Sequence, residues 1–487
     1  MEPRTDYDLV VLGGGAAAFA AITEAHARGL TTALVNAGLP LGGTCVNVGC
    51  VPSKHLLEVG KTAFEPSRNP FDAIQYDGEP TTDWPAALDE TDDLVSRLRR
   101  ENYVDVAEHF KTDVYEGRGQ FVEGTTIEVI NGEDEGARIT GEKALIATGS
   151  SPWAAPIDGL DEIDYETSES ILERRDLPES IVMLGGGYIA LEWGQILHHV
   201  GVDVTILQRS GHVLSGMEGQ LGRELQRCFH EDGIEVVTGV DIHRVSGSDD
   251  VATDGGLMTT EDSVRVAASV NGEKRAFDAA AVFVATGVRP NTDGIGIDGI
   301  GVETDNSDAV IVNEHFQTAN HDVYAAGDVI GDPELETVAA KEGNHAVKNA
   351  FGDEERSIDY GAVPKVVFTS PEVAAVGTTE HEYMAEHGTC SCRTVDMADV
   401  PKGRAVEDTR GVVQVVKHHE TDEIVGVHMV GPRAADIIPE ATLAVKFGLT
   451  VDDIIDTIHP FPTFSEAFKH ACQAFRRDTE TMSCCIE

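Results

Sequence analysis

A repeated glycine-rich unit constrains the fold of this chain more than any other feature. The first copy, YDLVVLGGG followed by AAAFAAITEAHARGL and TTALVN, is typical of strand, turn, helix and strand, with Gly13, Gly15 and Ala18 in the turn. The second copy, SIVMLGGGYIALEWGQILHHVGVDVTILQRS, places Gly185 and Gly187 in the same way. Such glycines let the backbone approach a pyrophosphate at a helix N-terminus. One copy is a weak signal, but two predict an α/β chain with two Rossmann-like dinucleotide-binding domains.

The residues after the second strand of each copy distinguish the two dinucleotides. Asn36 ends that strand in the first copy, where its amide can hydrogen-bond a ribose hydroxyl. Gln208 and Arg209 follow in the second copy. A guanidinium suits a 2′-phosphate, so Arg209 favours NADPH over NADH, unless it is only a solvated surface charge.

The composition predicts an acidic, soluble protein. Asp and Glu total 85 against 36 Lys and Arg, and the net charge of −49 is spread along the chain. This distribution favours a surface adapted to concentrated salt over that of an ordinary acidic protein, and it argues against nucleic-acid binding. No run of about 18 apolar residues is present, so no membrane span is expected. The N-terminus lacks a secretory pattern, and we expect a cytoplasmic protein.

Two cysteines in GGTCVNVGCVPSK carry the most specific chemical signal. Cys45 and Cys50 stand at the start of a predicted helix. On an ideal helix their Cα atoms would lie roughly 8.6 Å apart, whereas a disulfide needs about 4.4–6.8 Å. We therefore expect a distorted helix, which Gly49 and Pro52 would permit. A helix N-terminus also lowers a thiol pKa, which suits a redox pair.

Besides these motifs, the chain contains ATG twice, AAGDV and VPKVVFTSPEVAAVG. On these motifs it resembles the pyridine nucleotide–disulfide oxidoreductases over nearly its whole length. The resemblance implies FAD at the first glycine unit, NADPH at the second, and a homodimer built by a C-terminal α+β domain. The implied boundaries are 1–155 and 285–357 for the two parts of the FAD domain, 156–284 for the NADPH domain, and 358–487 for the dimerisation domain.

The resemblance also implies roles for single residues. Cys50 would be the thiolate against the flavin, and Cys45 the thiol that meets the substrate. Lys54 would lie near the flavin N5, paired with Glu192, and Tyr188 would cover the flavin until nicotinamide arrives. Asp328 would hold the ribityl and phosphate region of FAD. Further cofactor contacts are implied for Gly13, Gly15, Ala18, Asn36, Gly43, Thr44, Gly119, Thr148, Gly149, Gly185, Gly187, Arg209 and Gly287.

The segment HPFPTFSEAF departs from the disulfide reductases of the family. Phe461 occupies the position of their His base, and His459 falls two residues earlier. A phenyl ring cannot transfer protons, so efficient dithiol–disulfide exchange is not expected unless a local shift brings His459 into place.

The ending TMSCCIE, with GTCVNVGC and the missing His, resembles the mercuric reductases of this family. This likeness implies reduction of Hg(II), bound as a thiol complex. Cys484 and Cys485 of one subunit would pass the metal to Cys45 and Cys50 of the other. Tyr103 matches a second active-site tyrosine, or is a plain packing residue. Phe461 replaces the tyrosine that mercuric reductases usually carry.

Other functions remain open from the sequence. One is a dihydrolipoamide dehydrogenase-like or other low-molecular-weight disulfide reductase, and another is a thiol-rich metal-sequestering protein. Cys390 and Cys392 are either a metal-binding Cys-x-Cys pair or two loop or strand thiols. Cys228 and Cys472 are expected in the core.

Overall fold

The structure, a computed structural model, describes residues 6–76, 78, 80–247, 263–353 and 355–477. Its strands are β1 (Asp6–Leu12), β2 (Thr32–Asn36), β3 (Asp113–Glu116), β4 (Gly119–Glu123), β5 (Thr126–Val129), β6 (Arg138–Ile146), β7 (Ser150–Pro152), β8 (Ser180–Leu184), β9 (Asp203–Gln208), β10 (Glu235–Thr238), β11 (Val240–Gly247), β12 (Val264–Val270), β13 (Glu273–Ala279), β14 (Ala281–Val284), β15 (Val288–Pro290), β16 (Val323–Ala325), β17 (Lys365–Val367), β18 (Glu372–Gly377), β19 (Cys392–Asp396), β20 (Val412–Lys417) and β21 (Ile424–Gly431). Its helices are α1 (Ala16–Ala27), α2 (Gly43–Asn47), α3 (Cys50–Phe64), α4 (Trp84–Arg99), α5 (Asp105–Phe110), α6 (Tyr188–His199), α7 (Gly219–Asp232), α8 (Glu336–Phe351), α9 (Glu380–His387), α10 (Pro401–Val406), α11 (Ala434–Phe447), α12 (Val451–Asp456) and α13 (Glu466–Gln473).

The chain forms two compact units. The first contains the described residues of Met1–His55, Ala86–Trp153 and Gly287–Ile358, and the second those of Leu56–Pro85, Ala154–Thr286 and Asp359–Glu487. Each unit holds one copy of the glycine repeat. The finer division into four segments stays a prediction.

The first unit is built on a mostly parallel sheet. Its strand order is β3-β2-β1-β6-β5-β4, and β16 pairs with β6. Strand β1 runs parallel to β2 and β6, and its residues Val10 and Val11 are completely buried. Burial on both faces is the usual state of a parallel strand, because helices and loops cover both sides of the sheet. Helices α1 and α8 pack together against one of these faces.

Two glycines allow this packing. Gly13 turns the chain from β1 into α1 with φ +110°, and a Cβ there would lie 2.1 Å from the carbonyl oxygen of Ala147. A Cβ at Gly343 in α8 would lie 2.0 Å from the carbonyl oxygen of Ala17 in α1. Only glycine permits both approaches, and the second fixes the position of α8.

The second unit combines the other glycine repeat with the C-terminal domain. Strands β10-β9-β8-β14 form a parallel sheet, and helix α6 follows β8 through the second glycine turn. Strands β11-β12-β13 are antiparallel, as are β17-β18-β21-β20-β19, against which α11 and α13 pack. Among the described residues, no helix has the length and apolar character needed to cross a membrane.

Candidate active site

The predicted redox cysteines lie on either side of a break between two helices. Cys45 belongs to α2, and Cys50 is the first residue of α3. Between them Val48 leaves the helical conformation, with φ −138° and ψ 0°. A Cβ at Gly49 would lie 3.0 Å from the carbonyl oxygen of Thr44. The helix is therefore interrupted, as the distance argument from the sequence predicts, and the two thiols approach each other.

A carboxylate that the sequence reasoning missed completes this site. The Cys45 thiol donates a hydrogen bond to Oε2 of Glu336, the first residue of α8. The Sγ atoms of Cys45 and Cys50 and a carboxylate oxygen of Glu336 all lie within 4.8 Å of one another. All three residues belong to the first unit. Two thiols and a carboxylate in this arrangement can share a proton or hold one cation.

The electrostatics of the site keep Cys45 protonated. Its pKa is raised, first by the hydrogen bond with Cys50, then by burial, and then by the neighbouring Glu336. Glu336 lies in the first turn of α8. A proton on Cys45 therefore stays in place until another positive charge replaces it.

Tyr103 faces the same carboxylate. It lies in a π-helical turn, Arg100–Val104, and its hydroxyl is 3.4 Å from Oε1 of Glu336. Its ring packs edge-on against Phe19, with 4.9 Å between the centroids. Burial, followed by the charge of Glu336, raises the pKa of Tyr103. Tyr103 thus packs as a core residue and also presents a neutral hydroxyl to the site.

The glycine turns have the shape that two dinucleotides require. Gly15 and Gly187 are the N-cap residues of α1 and α6, and no described side chain caps either helix. A Cβ at Gly43 would lie 2.8 Å from Cα of Gly15, so only bare backbone fits there. A Cβ at Gly187 would meet no atom within 4 Å. These backbone cradles fit the pyrophosphates of FAD and of a nicotinamide dinucleotide.

The other residues predicted for FAD lie in the first unit. Asn36 ends β2, and its Oδ1 would lie 2.5 Å from a Cβ at Gly14. Asp328 accepts a hydrogen bond from Ser150 Oγ at 2.8 Å, while burial raises its pKa. Gly119 instead packs into the core, where a Cβ would meet the Leu12 side chain at 2.6 Å. The remaining residues occupy α1 (Ala18), α2 (Thr44) and the segments after β6 and β14 (Thr148, Gly149 and Gly287).

The residues predicted for the nicotinamide side lie mainly in the second unit. Tyr188 is the first residue of α6, and Gly185 adopts φ +121° in the preceding turn. Glu192 is buried and accepts a hydrogen bond from the backbone N–H of Phe368 at 2.9 Å. Arg209 is exposed directly after β9. Lys54 lies in the first unit, on α3, and its pairing with Glu192 stays a prediction.

His459 of the C-terminal segment pairs with a carboxylate of its own unit, and its ability to replace the missing base stays a prediction. His459 Nε2 lies 2.9 Å from Oε1 of Glu440, and this hydrogen bond is the main reason that its pKa is raised. Phe461 is 52% exposed. Glu466 accepts a hydrogen bond from the backbone N–H of Thr463 at 3.2 Å. Cys484 and Cys485 lie outside the described residues, so their role stays a prediction.

Comparison with known proteins identifies the family. Residues 7–343 match the pyridine nucleotide-disulphide oxidoreductase family, and residues 363–472 match its dimerisation domain. The chain belongs to this family. It is therefore a flavin-dependent oxidoreductase, and its cofactors are FAD and NAD(P)H, which confirms the predicted fold class and the predicted flavin.

The individual relatives of the chain include mercuric reductases and a dihydrolipoyl dehydrogenase. The chain is 37% identical to a mercuric reductase of Streptomyces lividans over 486 residues, covering 100% of this chain and 99% of the relative. A mercuric reductase of Lysinibacillus sphaericus is also 37% identical, covering 99% of this chain and 84% of the relative. A dihydrolipoyl dehydrogenase of Bacillus subtilis is 34% identical, covering 96% and 98%. The HOCl-induced flavoprotein disulfide reductase RclA of Escherichia coli, solved as a Cu(II) complex, has the same fold, with a TM-score of 0.84 at 24% identity and coverage of 97% and 100%.

Proposed function

We propose that this enzyme reduces Hg(II), presented as a thiol complex, to Hg(0) at the expense of NADPH. The net reaction is NADPH + Hg(II) → NADP⁺ + H⁺ + Hg(0). The observation that carries this proposal is the convergence of Cys45, Cys50 and Glu336 within 4.8 Å. Thiolates are the ligands that soft metal ions prefer, and a carboxylate beside them offers a third contact. The similarity to mercuric reductases over the whole described chain supports the same assignment.

The residues of the site account for metal capture by ligand exchange. Glu336 takes the proton of Cys45 as the sulfur attacks the mercury, and the first carrier thiolate leaves, protonated by that carboxyl group. Cys50 displaces the second carrier in the same way. Each exchange forms one S–Hg bond and breaks another, so a ligand-free ion is never released. FAD, when bound, supplies the two electrons that NADPH delivers as hydride.

The phenylalanine at the position of the family's His base favours a metal substrate over a disulfide. The phenyl ring of Phe461 offers no proton acceptor. The hydroxyl of Tyr103 contacts one carboxylate oxygen of Glu336, and the Cys45 thiol contacts the other. It therefore helps to hold that carboxylate toward the thiols.

A homodimer is part of the proposal. The C-terminal domain exposes large apolar side chains on α11 and in the loop between α12 and α13. Leu443 is 55% exposed, Phe447 66%, Ile458 88% and Phe461 52%. Exposed apolar side chains grouped on one domain are typical of an interaction surface. We propose that the partner covers them and that Cys484 and Cys485 relay the metal between subunits.

Reduction of a small disulfide is the second candidate, and one observation favours it. The carboxylate of Glu336 lies beside Cys45 and can accept its proton. Glu336 could therefore serve as the proton acceptor that Phe461 cannot be. The 34% identity with the dihydrolipoyl dehydrogenase of Bacillus subtilis is in keeping with this candidate. The two functions therefore have to be separated by their substrates.

A substrate comparison tests the proposal. We expect kcat/KM for a mercury–thiol complex to exceed that for lipoamide or another small disulfide, measured by NADPH oxidation in concentrated salt. Cys45→Ala should abolish the mercury-dependent rate, and Cys390→Ala, which removes a thiol of the other unit, should not. Disulfide turnover without a mercury-dependent rate would replace the proposal by the second candidate.

The relay has its own test. Cys484→Ala/Cys485→Ala should reduce turnover most strongly when mercury is presented on bulky thiols that do not reach a buried site. A small thiol carrier serves as the matched control. An equal loss on both carriers, or no loss on either, would reject the relay.

A further inference from the structure

A second cluster of metal-ligating side chains lies in the second unit, outside the redox site. The Sγ atoms of Cys390 and Cys392 are 3.3 Å apart. Cys390 Sγ donates to Oε1 of Glu380 at 2.9 Å. The ligand atoms of the three residues all lie within 4.8 Å of one another. The catalytic scheme uses none of them.

The fold fixes this cluster from two sides. Cys392 begins β19, where it pairs with Val416 of β20, and Gln414 lies two residues away on the same face of the sheet. Glu380 begins α9, and its Oε2 accepts a hydrogen bond from Gln414 Nε2 at 3.1 Å. The side-chain amide of Gln414, on β20, thus holds Glu380, on α9, beside the sheet.

Gln414 gives independent support for a binding site. Its side chain is only 2% exposed, and its Oε1 has no hydrogen-bond partner in the described residues. The buried amide of Gln414 donates to the carboxylate of Glu380, which faces the two thiols. Hydrogen bonds of this kind typically orient the ligands of a metal ion. Cys390 is exposed, so an ion can enter from solvent.

We propose that Cys390, Cys392 and Glu380 bind one thiophilic divalent cation of the Zn(II) or Cd(II) type, with water as a fourth ligand. Zn–S bonds of about 2.3 Å in tetrahedral geometry place two sulfurs about 3.8 Å apart, about 0.5 Å more than the 3.3 Å seen here. A linear two-thiolate ion would need about 4.6 Å with the same bonds. The geometry therefore favours a tetrahedral ion. Binding replaces the two S–H protons by two S–metal bonds and involves no electron transfer.

This site is independent of mercury reduction, so the two proposals fail separately. The alternatives are two hydrogen-bonded thiols that bind no ion, and a Cys390–Cys392 disulfide. Either outcome would overturn the proposal, and each has a distinct thiol count: two free thiols for the first and none for the second.

Cadmium binding tests the site. The full-length holoenzyme is used, with Cys45, Cys50, Cys484 and Cys485 all changed to Ser to remove competing thiols. We expect one Cd(II) per chain, a thiolate-to-metal absorption band and release of two protons. Adding Cys390→Ser/Cys392→Ser should abolish all three signals. Glu380→Gln should weaken binding by at least about tenfold, as loss of a ligand or its support usually does. Glu386→Gln, on the same helix, should not.

A measurement on the unmutated holoenzyme covers the case in which these variants do not fold. After reduction, Zn(II) should protect Cys390 and Cys392 from alkylation at each residue, as read by peptide mass spectrometry, and EDTA should restore their reactivity. Buried Cys228 serves as the control whose slow alkylation does not depend on Zn(II). Equal alkylation of Cys390 and Cys392 with and without Zn(II) would overturn the proposal.

Discussion

Replacing Glu336 by Gln should make Cys45 more acidic. The carboxylate contacts the Cys45 thiol, and its negative charge opposes formation of a second negative charge on sulfur. Gln keeps the shape and an acceptor oxygen but removes the charge. The pKa of Cys45 is therefore expected to fall, so its thiolate should appear at lower pH than in the natural chain.

The size of the effect follows from Coulomb's law. Two unit charges about 4 Å apart interact by about 1 kcal/mol in water and about 4 kcal/mol near a protein surface. Because Cys45 and Glu336 are both partly exposed, we take the repulsion between the Cys45 thiolate and the Glu336 carboxylate to be about 1–2 kcal/mol. The fraction of Cys45 present as thiolate, at a fixed pH below its pKa, should then rise about 5- to 30-fold.

The assay is the rate of alkylation of Cys45 as a function of pH in the reduced protein, with each cysteine resolved by mass spectrometry. The midpoint of the profile reports the pKa, whereas a single rate does not, because a more acidic thiolate is a weaker nucleophile. Glu336→Asp should restore part of the natural profile. Glu334→Gln is the matched control two residues earlier. An unchanged midpoint in Glu336→Gln, or an equal fall in Glu334→Gln, would refute the electrostatic account.

Three further substitutions test other parts of the structure. Gly13→Ala should lower the free energy of unfolding by at least about 1–3 kcal/mol and release FAD, because the chain there has φ +110° and no room for a Cβ. Gly29→Ala is the control in the same urea unfolding series, because φ is +75° there but the space around a Cβ is open, so this variant reports backbone strain without a steric clash. Arg209→Ala should raise KM for NADPH about 10- to 100-fold and leave KM for NADH unchanged, since a charge-assisted bond is worth about 1.5–3 kcal/mol; equal changes for both would remove the 2′-phosphate role. Phe461→His should raise turnover of small disulfides by up to about 100-fold, the lower range of a general base, and no gain would show that the missing base is not what limits exchange.

Much of the fold was predictable because it depends on local patterns. The glycine turns, the strands that precede them and the helices that follow are each encoded within about 30 residues. The break between Cys45 and Cys50 was also predictable, because helix geometry excludes their approach on a regular helix.

Glu336 could not be found in this way. It is far from the cysteines in the chain, and its surroundings, PELETVAA, contain no motif. Its position depends on the contact of α8 with α1 at Gly343, which is a property of the packed structure. An acid at the first turn of the helix after AAGDV is the one local sign that was available. His459 is a similar case, because it lies in a loop and its partner Glu440 comes from helix α11.

The most direct test of the central claim is the amount of Hg(0) formed per NADPH oxidised, without oxygen, in concentrated salt with excess small thiol. Elemental mercury is measured in the gas phase, and NADPH by absorbance. The account predicts one Hg(0) per NADPH in the natural chain and none in Cys45→Ala/Cys50→Ala. NADPH oxidation while the mercury stays as Hg(II), or mercury release that survives loss of both cysteines, would contradict it.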